Sequence, residues 1–267
     1  ADGNVSAGDL PKDLVEEVES EREALIENIA EADDALVERY LEGETLSPEE
    51  LQTALRKGIN ERIFTPVLCG SATGRIGIER LLDFVVEALP SPLDRGARVG
   101  TDMKGDNRIE RLPDPNGPFA AFVFKTVADP YAGRLSIFRI VSGSLGSDGN
   151  FYNAHKESRE RFNQLLAIAG KEQKPAKEAG PGAIVAVAKL KETTTGDTLC
   201  DEAGKIKFPF PDPLPTMISF ALEAKNKGEE DKIYISMNKL MEEDTGLKLH
   251  RNPETSEIIL SGRGQVH

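Results

Sequence analysis

At 267 residues, with 39% hydrophobic and 30% charged side chains, the chain can bury substantial cores, and its length alone suggests about two domains. No apolar run approaches the roughly 18 residues of a membrane span, and the N-terminus carries no basic and apolar leader, so the sequence predicts a cytoplasmic protein without a membrane partner. The net charge of −13 is unevenly placed: residues 1–60 hold seventeen Asp or Glu against five Lys or Arg, which leaves the remainder nearly neutral.

Apolar residues recur at helical spacing from Pro11 to Leu41, at Leu14, Val18, Leu25, Ile29, Leu36 and Tyr40, which fits one long helix or two shorter ones. Ser47-Pro48-Glu49-Glu50 then reads as a capping box, with Ser47 as N-cap, Pro48 at the first helical position and Gly58 as the stop. Residues 63–69, IFTPVLC, read as a short buried strand leading into Gly70-Ser71-Ala72-Thr73. The following helix sets Ile78, Leu81, Leu82, Val85 and Leu89 on one face and ends at Pro90 and Pro92. Cys69 and Cys200 lie far apart with no CxxC pairing, which predicts two small buried apolar side chains.

Residues 94–117, rich in Pro, Gly, Asp and Arg, read as a linker with room for a short hairpin. Residues 118–205 alternate Val, Ile, Phe and Thr runs with breaks at Asp129-Pro130, Ser142-Gly143, Asp148-Gly149 and Thr195-Gly196-Asp197, the pattern of a small β-barrel. A proline cluster over 206–215 predicts a stiff linker. Residues 216–267 then offer a strand at Ile218, Phe220 and Leu222, a helix over 229–244, and a hairpin of 247–251 with 257–261. This is the β-α-β-β opening of a ferredoxin-like unit without its last helix and strand.

Several short motifs in one order carry a resemblance: LEGE at Leu41 to Glu44, SPEEL, PVLCGSA, LPSP, DPNGP, the barrel with Asp129-Pro130-Tyr131-Ala132-Gly133-Arg134-Leu135 and Thr195-Gly196-Asp197-Thr198-Leu199, and SGRGQVH at Ser261 to His267. Together they resemble elongation factor G, the GTPase that drives ribosomal translocation. The resemblance implies the end of a P-loop GTPase domain with an acidic helical insert over 1–93, then the translation-factor barrel, then a partial third domain. It implies that Gly70, Ser71 and Ala72 match the family's fifth guanine motif, in which the N–H at Ala72 donates to the guanine carbonyl. The family's SGMGELH stands here as SGRGQVH, and the stretch at Ala167 to Glu172 also departs from the pattern, which points toward an elongation factor G-like paralogue.

The sequence contains no G-x-x-x-x-G-K-[ST]: Glu172 follows Gly170-Lys171 and Ile206 follows Gly204-Lys205. Asp114-Pro115-Asn116-Gly117, Asp201-Glu202-Ala203-Gly204 and Asn226-Lys227-Gly228-Glu229 are read as chance matches to guanine-nucleotide motifs. GTP, GDP and Mg²⁺ are therefore expected as cofactors of a parent protein and not as tight ligands of this chain, which has no catalytic residue of its own. His155, His250 and His267 share no ligand spacing and read as surface or turn residues, with no metal site. The resemblance implies a monomer whose partner is the ribosome: small-subunit rRNA through the barrel, with Lys156, Arg159 and Arg161 as contacts, and the stalk protein through the acidic helices. Six basic residues between 156 and 177, including Lys171, Lys174 and Lys177, stand against three acidic ones. Other readings are a ribosomal protection or release-factor-type GTPase, or a module that engages the ribosome without hydrolysing GTP.

Overall fold

The computed structural model describes residues 8–129, 133–170, 172–224, 226 and 228–267. Pro130, Tyr131 and Ala132 of the barrel motif, Lys171, and Lys227 lie outside the described residues. The chain divides into two compact units, residues 1–95 and 96–267.

The first unit is helical. A 3-10 turn at Lys12–Leu14 leads into α1 (Val15–Ala30), followed by α2 (Asp34–Leu41), α3 (Pro48–Glu61) and α4 (Ile78–Ala88). The 11–41 stretch is therefore two helices, divided where Asp33 takes an extended conformation and its carboxylate accepts from the Ala35 N–H at 3.2 Å. The capping box at Ser47 is complete: Ser47 Oγ accepts from the Glu50 N–H, and Glu50 accepts from the Ser47 N–H at 2.9 Å. Arg39 adds an ion pair of 2.6 Å to Glu50, and this partner first, then the Ser47 N–H, holds the Glu50 carboxyl at about 2.

Gly58 is not the helix stop. The helix runs on to Glu61 and ends at Arg62, whose φ of 62° is left-handed. Gly58 is small for packing, since a Cβ there would run into the Phe64 ring. Residues 63–69 form no strand, and Val67 is 90% exposed. Among the described residues of this unit no strand is present for that segment to pair with, and an unpaired extended segment gains no ladder. Cys69 is correspondingly exposed, whereas Cys200 is buried.

The second unit is built on an eight-stranded antiparallel sheet. The hairpin β1 (Arg98–Thr101) and β2 (Arg108–Arg111) precedes it. Then come β3 (Ala120–Asp129), β4 (Gly133–Ser142), β5 (Leu145–Gly146), β6 (Gly149–Asn153), β7 (Ser158–Phe162), β8 (Leu165–Ala169), β9 (Glu172–Pro175), β10 (Glu178–Ala179), β11 (Ile184–Ala188) and β12 (Thr198–Cys200). The strand order is β7-β6-β12-β3-β4-β11-β8-β9, with β5 and β10 paired apart. Side chains from all along this order, among them Val123, Phe138, Phe151, Phe162, Leu165, Val187 and Leu199, meet in one buried cluster, so the sheet is coiled on itself as a barrel. Phe151 and Phe162 stack inside with ring centroids 5.4 Å apart.

A second apolar layer lies outside β3, β6 and β12. Ile206 and Phe208, from the proline-rich stretch, are fully buried there with Phe122, Tyr152 and Cys200, and Met103 and Ile109 pack against them. The backbones of Thr101 and Lys207 exchange two hydrogen bonds of 2.8 Å. Thus residues 98–111 and 206–208, which read as linkers, form a cover on the barrel. Gly100 permits it, because a Cβ there would lie 2.5 Å from the Lys207 carbonyl oxygen.

The chain closes with β13 (Ile218–Leu222), α5 (Glu230–Glu243), β14 (Lys248–Arg251) and β15 (Ile258–Gly262), in the sheet order β13-β15-β14. The β-α-β-β reading and the crossover of a split βαβ unit hold. The end of α5 touches the barrel, where the Ala128 N–H donates to Glu243 Oε1 at 2.5 Å and Arg134 faces Glu242 at 3.7 Å.

Gly58→Ala should distinguish a packing glycine from a helix breaker. Alanine favours a helix interior by about 1 kcal/mol over glycine, while forcing a methyl into packed space costs about 1–3 kcal/mol. Urea melts read by helical circular dichroism should show net loss of stability; a gain would mean that Phe64 moves aside freely.

Candidate functional site

The sequence-predicted residues fall in two places. Gly70, Ser71 and Ala72 open a tight loop before α4. Ser71 and Ile76 each donate an N–H to the other's carbonyl, at 2.9 and 3.0 Å, and Ser71 Oγ accepts from the Gly74 N–H at 3.1 Å. Gly77 then turns into α4 with φ of 77°, where a side chain would press on the Cys69 carbonyl. Ala72 is exposed, and its N–H donates to no group among the described residues.

Lys156, Arg159 and Arg161 lie on and beside β7. The strand alternates: Arg159 and Arg161 face solvent, whereas Glu160 between them is only 5% exposed. Its carboxylate accepts from the N–H groups of Lys191, Glu192 and Thr193 and from Thr193 Oγ1, all at 2.8–2.9 Å. Burial pushes the Glu160 pKa upward, but these four donors outweigh it and leave the carboxyl below its ordinary value.

The same network reaches Lys156. Asn153 donates to Thr193 Oγ1 and to Asp197, while its carbonyl accepts from the N–H groups of His155 and Lys156 at 3.0 Å. Asp197 also accepts from the Thr194 N–H at 2.8 Å. Nothing in the sequence pairs Glu160 or Asn153 with the 191–197 loop; a polar residue at an inward position of an alternating strand was the available signal.

Arg159 and Arg161 line an open groove of about 460 Å³ with Asn150, Tyr152, Asp201 and Glu202. The groove is mixed in charge, and Arg159 is already paired with Glu202 at 2.5 Å. Arg161 has no such partner among the described residues. The described basic residues expected between 156 and 177 do not all lie on paired strands. Arg159 and Arg161 sit on β7, Lys174 sits on β9 at the opposite end of the strand order, and Lys174 pairs with Glu172 at 2.7 Å.

His155 sits in the turn after β6, where its Nδ1 accepts from the Thr198 N–H at 3.0 Å; desolvation lowers its pKa. His250 is an exposed strand residue. His267 lies 2.7 Å from Asp244. Among the described residues no three His, Cys, Asp or Glu side chains are grouped to hold a metal ion, and no helix is long and apolar enough to cross a membrane.

Residues 96–267 thus join a coiled antiparallel barrel and its covering hairpin to a βαββ unit. Residues 118–202 match the family model described as elongation factor G domain 2, and residues 210–267 match elongation factor G domain III. The chain belongs to the elongation factor G-like proteins. A crystal structure of a protein from Thermus thermophilus is similar over all of this chain and 38% of its own, at 30% identity and a TM-score of 0.82. The chain thus spans well under half the length of that protein.

Because Glu160 is held ionised in the fold, its stabilising effect should be complete above its ordinary pKa of 4.5 and be lost as pH falls toward the depressed folded value. Glu160→Gln replaces an acceptor by a donor facing N–H groups, and should cost about 1–3 kcal/mol at neutral pH. Denaturant melts across the acid range should show a smaller pH dependence in the variant than in the unsubstituted chain; an equal dependence would remove Glu160 as its source.

Proposed function

We propose that the chain is a fragment of an elongation factor G-type ribosomal translocase, a translation elongation factor whose complete form couples GTP hydrolysis with Mg²⁺ to movement on the ribosome. The observation that carries this reading is the succession of two elongation factor G domain types in the family's order. On this reading residues 1–93 are the end of the GTPase domain. In support, the Ala72 N–H of the Gly70-Ser71-Ala72 loop donates to no group among the described residues, as a base-reading donor requires, and α4 and the 63–69 segment carry uncovered apolar side chains, including Leu82 at 59% and Val86 at 80%. The acidic helices α1–α3 are poor ligands for phosphates and suit the stalk protein, and the barrel faces small-subunit rRNA. The setting is the cytoplasm.

Isothermal calorimetry should find no sub-micromolar binding of GDP or GTP, because base contacts alone cannot replace the phosphate-binding amides, lysine and magnesium. A sub-micromolar dissociation constant would overturn this assignment of parts.

On small ribosomal subunits, Arg161→Glu should weaken binding more than Arg159→Glu, since Arg159 must first leave Glu202. Removing one phosphate-binding cation should lower the salt slope by about 0.7–0.9. Equal affinity and slope in the double variant would make the β7 face ordinary surface.

A further inference from the structure

The outer face of β3 and β4 has a feature that the β7 groove lacks: cations with no acidic partner among the described residues. Pairing of β3 with β4 shifts register between Val123 and Lys125, so Phe124 is the extra residue of a β-bulge. The bulge leaves Phe124 and Lys125, which would alternate in a regular strand, both exposed, with Phe124 38% accessible. Across the ladder, Arg139 stands opposite Phe122 and is exposed. On the other side Arg98 lies over the Phe122 ring at 4.7 Å and over Phe208 at 5.0 Å. Phe210, 37% exposed, packs on Phe122 with centroids 5.7 Å apart.

None of Arg98, Lys125 and Arg139 has a carboxylate within ion-pair distance among the described residues. Burial lowers the Arg98 pKa, and repulsion from Arg139 lowers it further. Two guanidinium groups are thus held near each other without a carboxylate partner among the described residues, an arrangement that an anion would relieve.

We propose that this face, with Phe124 as a stacking surface and Lys125, Arg139 and Arg98 as phosphate contacts, is a docking site for single-stranded RNA. Charge alone would suit an acidic peptide equally. The ring set by the bulge beside the cations favours a nucleic acid, because an unpaired base offers a flat face to stack while its phosphates meet the arginines. A duplex would satisfy only the cations. The proposal rests on the reading of the barrel as an RNA-facing domain and names a second, separate face for it.

The test uses the full chain and fluorescence anisotropy with a short labelled oligouridine, the matching RNA duplex, and an oligoglutamate peptide of similar charge. Phe124→Ala should weaken oligouridine binding by about five-fold or more without changing the salt slope, and Phe124→Trp should restore it. Lys125→Ala and Arg139→Ala should each weaken binding and lower the slope by about 0.7. All three side chains are exposed, and thermal melts would confirm that the variants fold. Absence of oligouridine binding, an unaffected Phe124→Ala variant, or duplex or peptide bound as tightly as oligouridine would overturn the proposal. Failure of the chain to bind small subunits while the Phe124 effects persist would remove the ribosomal reading and leave the site. Loss of the Phe124 effects with small-subunit binding intact would do the reverse.

Discussion

A carboxylate placed within a barrel wall costs several kcal/mol unless nearly every lone pair finds a donor. Glu160 meets that condition by drawing three successive N–H groups, of Lys191, Glu192 and Thr193, onto its two oxygens. The constraint runs in both directions. The loop cannot relax without stranding an anion, and β7 cannot shift register without turning Glu160 to solvent and its two arginines inward. Arg134 reinforces the loop from the opposite side by donating to the carbonyls of Lys191 and Thr193, and Thr126 meets Thr195 at 2.9 Å. The 191–197 segment is therefore a fixed part of the barrel end, and the solvent-facing positions of β7 inherit their geometry from it.

The elements legible in the sequence were those whose signals are local. The Ser47 box, the proline-terminated α4, the strand alternation of the barrel and the βαββ order all depend on residues within a few positions of each other. What escaped depends on partners far along the chain. Gly58 reads as a stop until Phe64 is seen to fill the space above it. Residues 63–69 have the composition of a strand, but a strand exists only with a neighbour. Ile206 and Phe208 sit among prolines and look like tether, yet they complete an apolar layer begun by Ala120 and Phe122.

The site residues show the same division. A basic run between 156 and 177 suggests one patch, but Arg159 and Lys174 sit on strands that do not pair, and each is matched with a glutamate. Local counting could not anticipate that Glu202, distant in the chain, neutralises Arg159, or that Arg98 comes from before the barrel to lie against its wall. The bulge at Phe124 has no sequence mark at all. It arises because β3 must keep Val123 in the core and return Thr126 to the interior with one residue too many between them.

The burial of Phe208, and the packing of the half-exposed Phe210 ring on Phe122, fix where the chain leaves the barrel. Free connection to the last domain begins only after Phe210, and the residues from Pro211 to Met217 include Pro211, Pro213 and Pro215. At about 3.1 Å per residue such a segment is a stiff spoke of roughly 20 Å. With one end clamped and little bending allowed, the distance from the barrel to β13 is set by the length of the spoke. Glu243, reaching Ala128 from the end of α5, supplies a second point of attachment at the far side. The terminal unit is therefore tied to the barrel at two separated points along the chain, the spoke and the end of α5, and not by its tether alone.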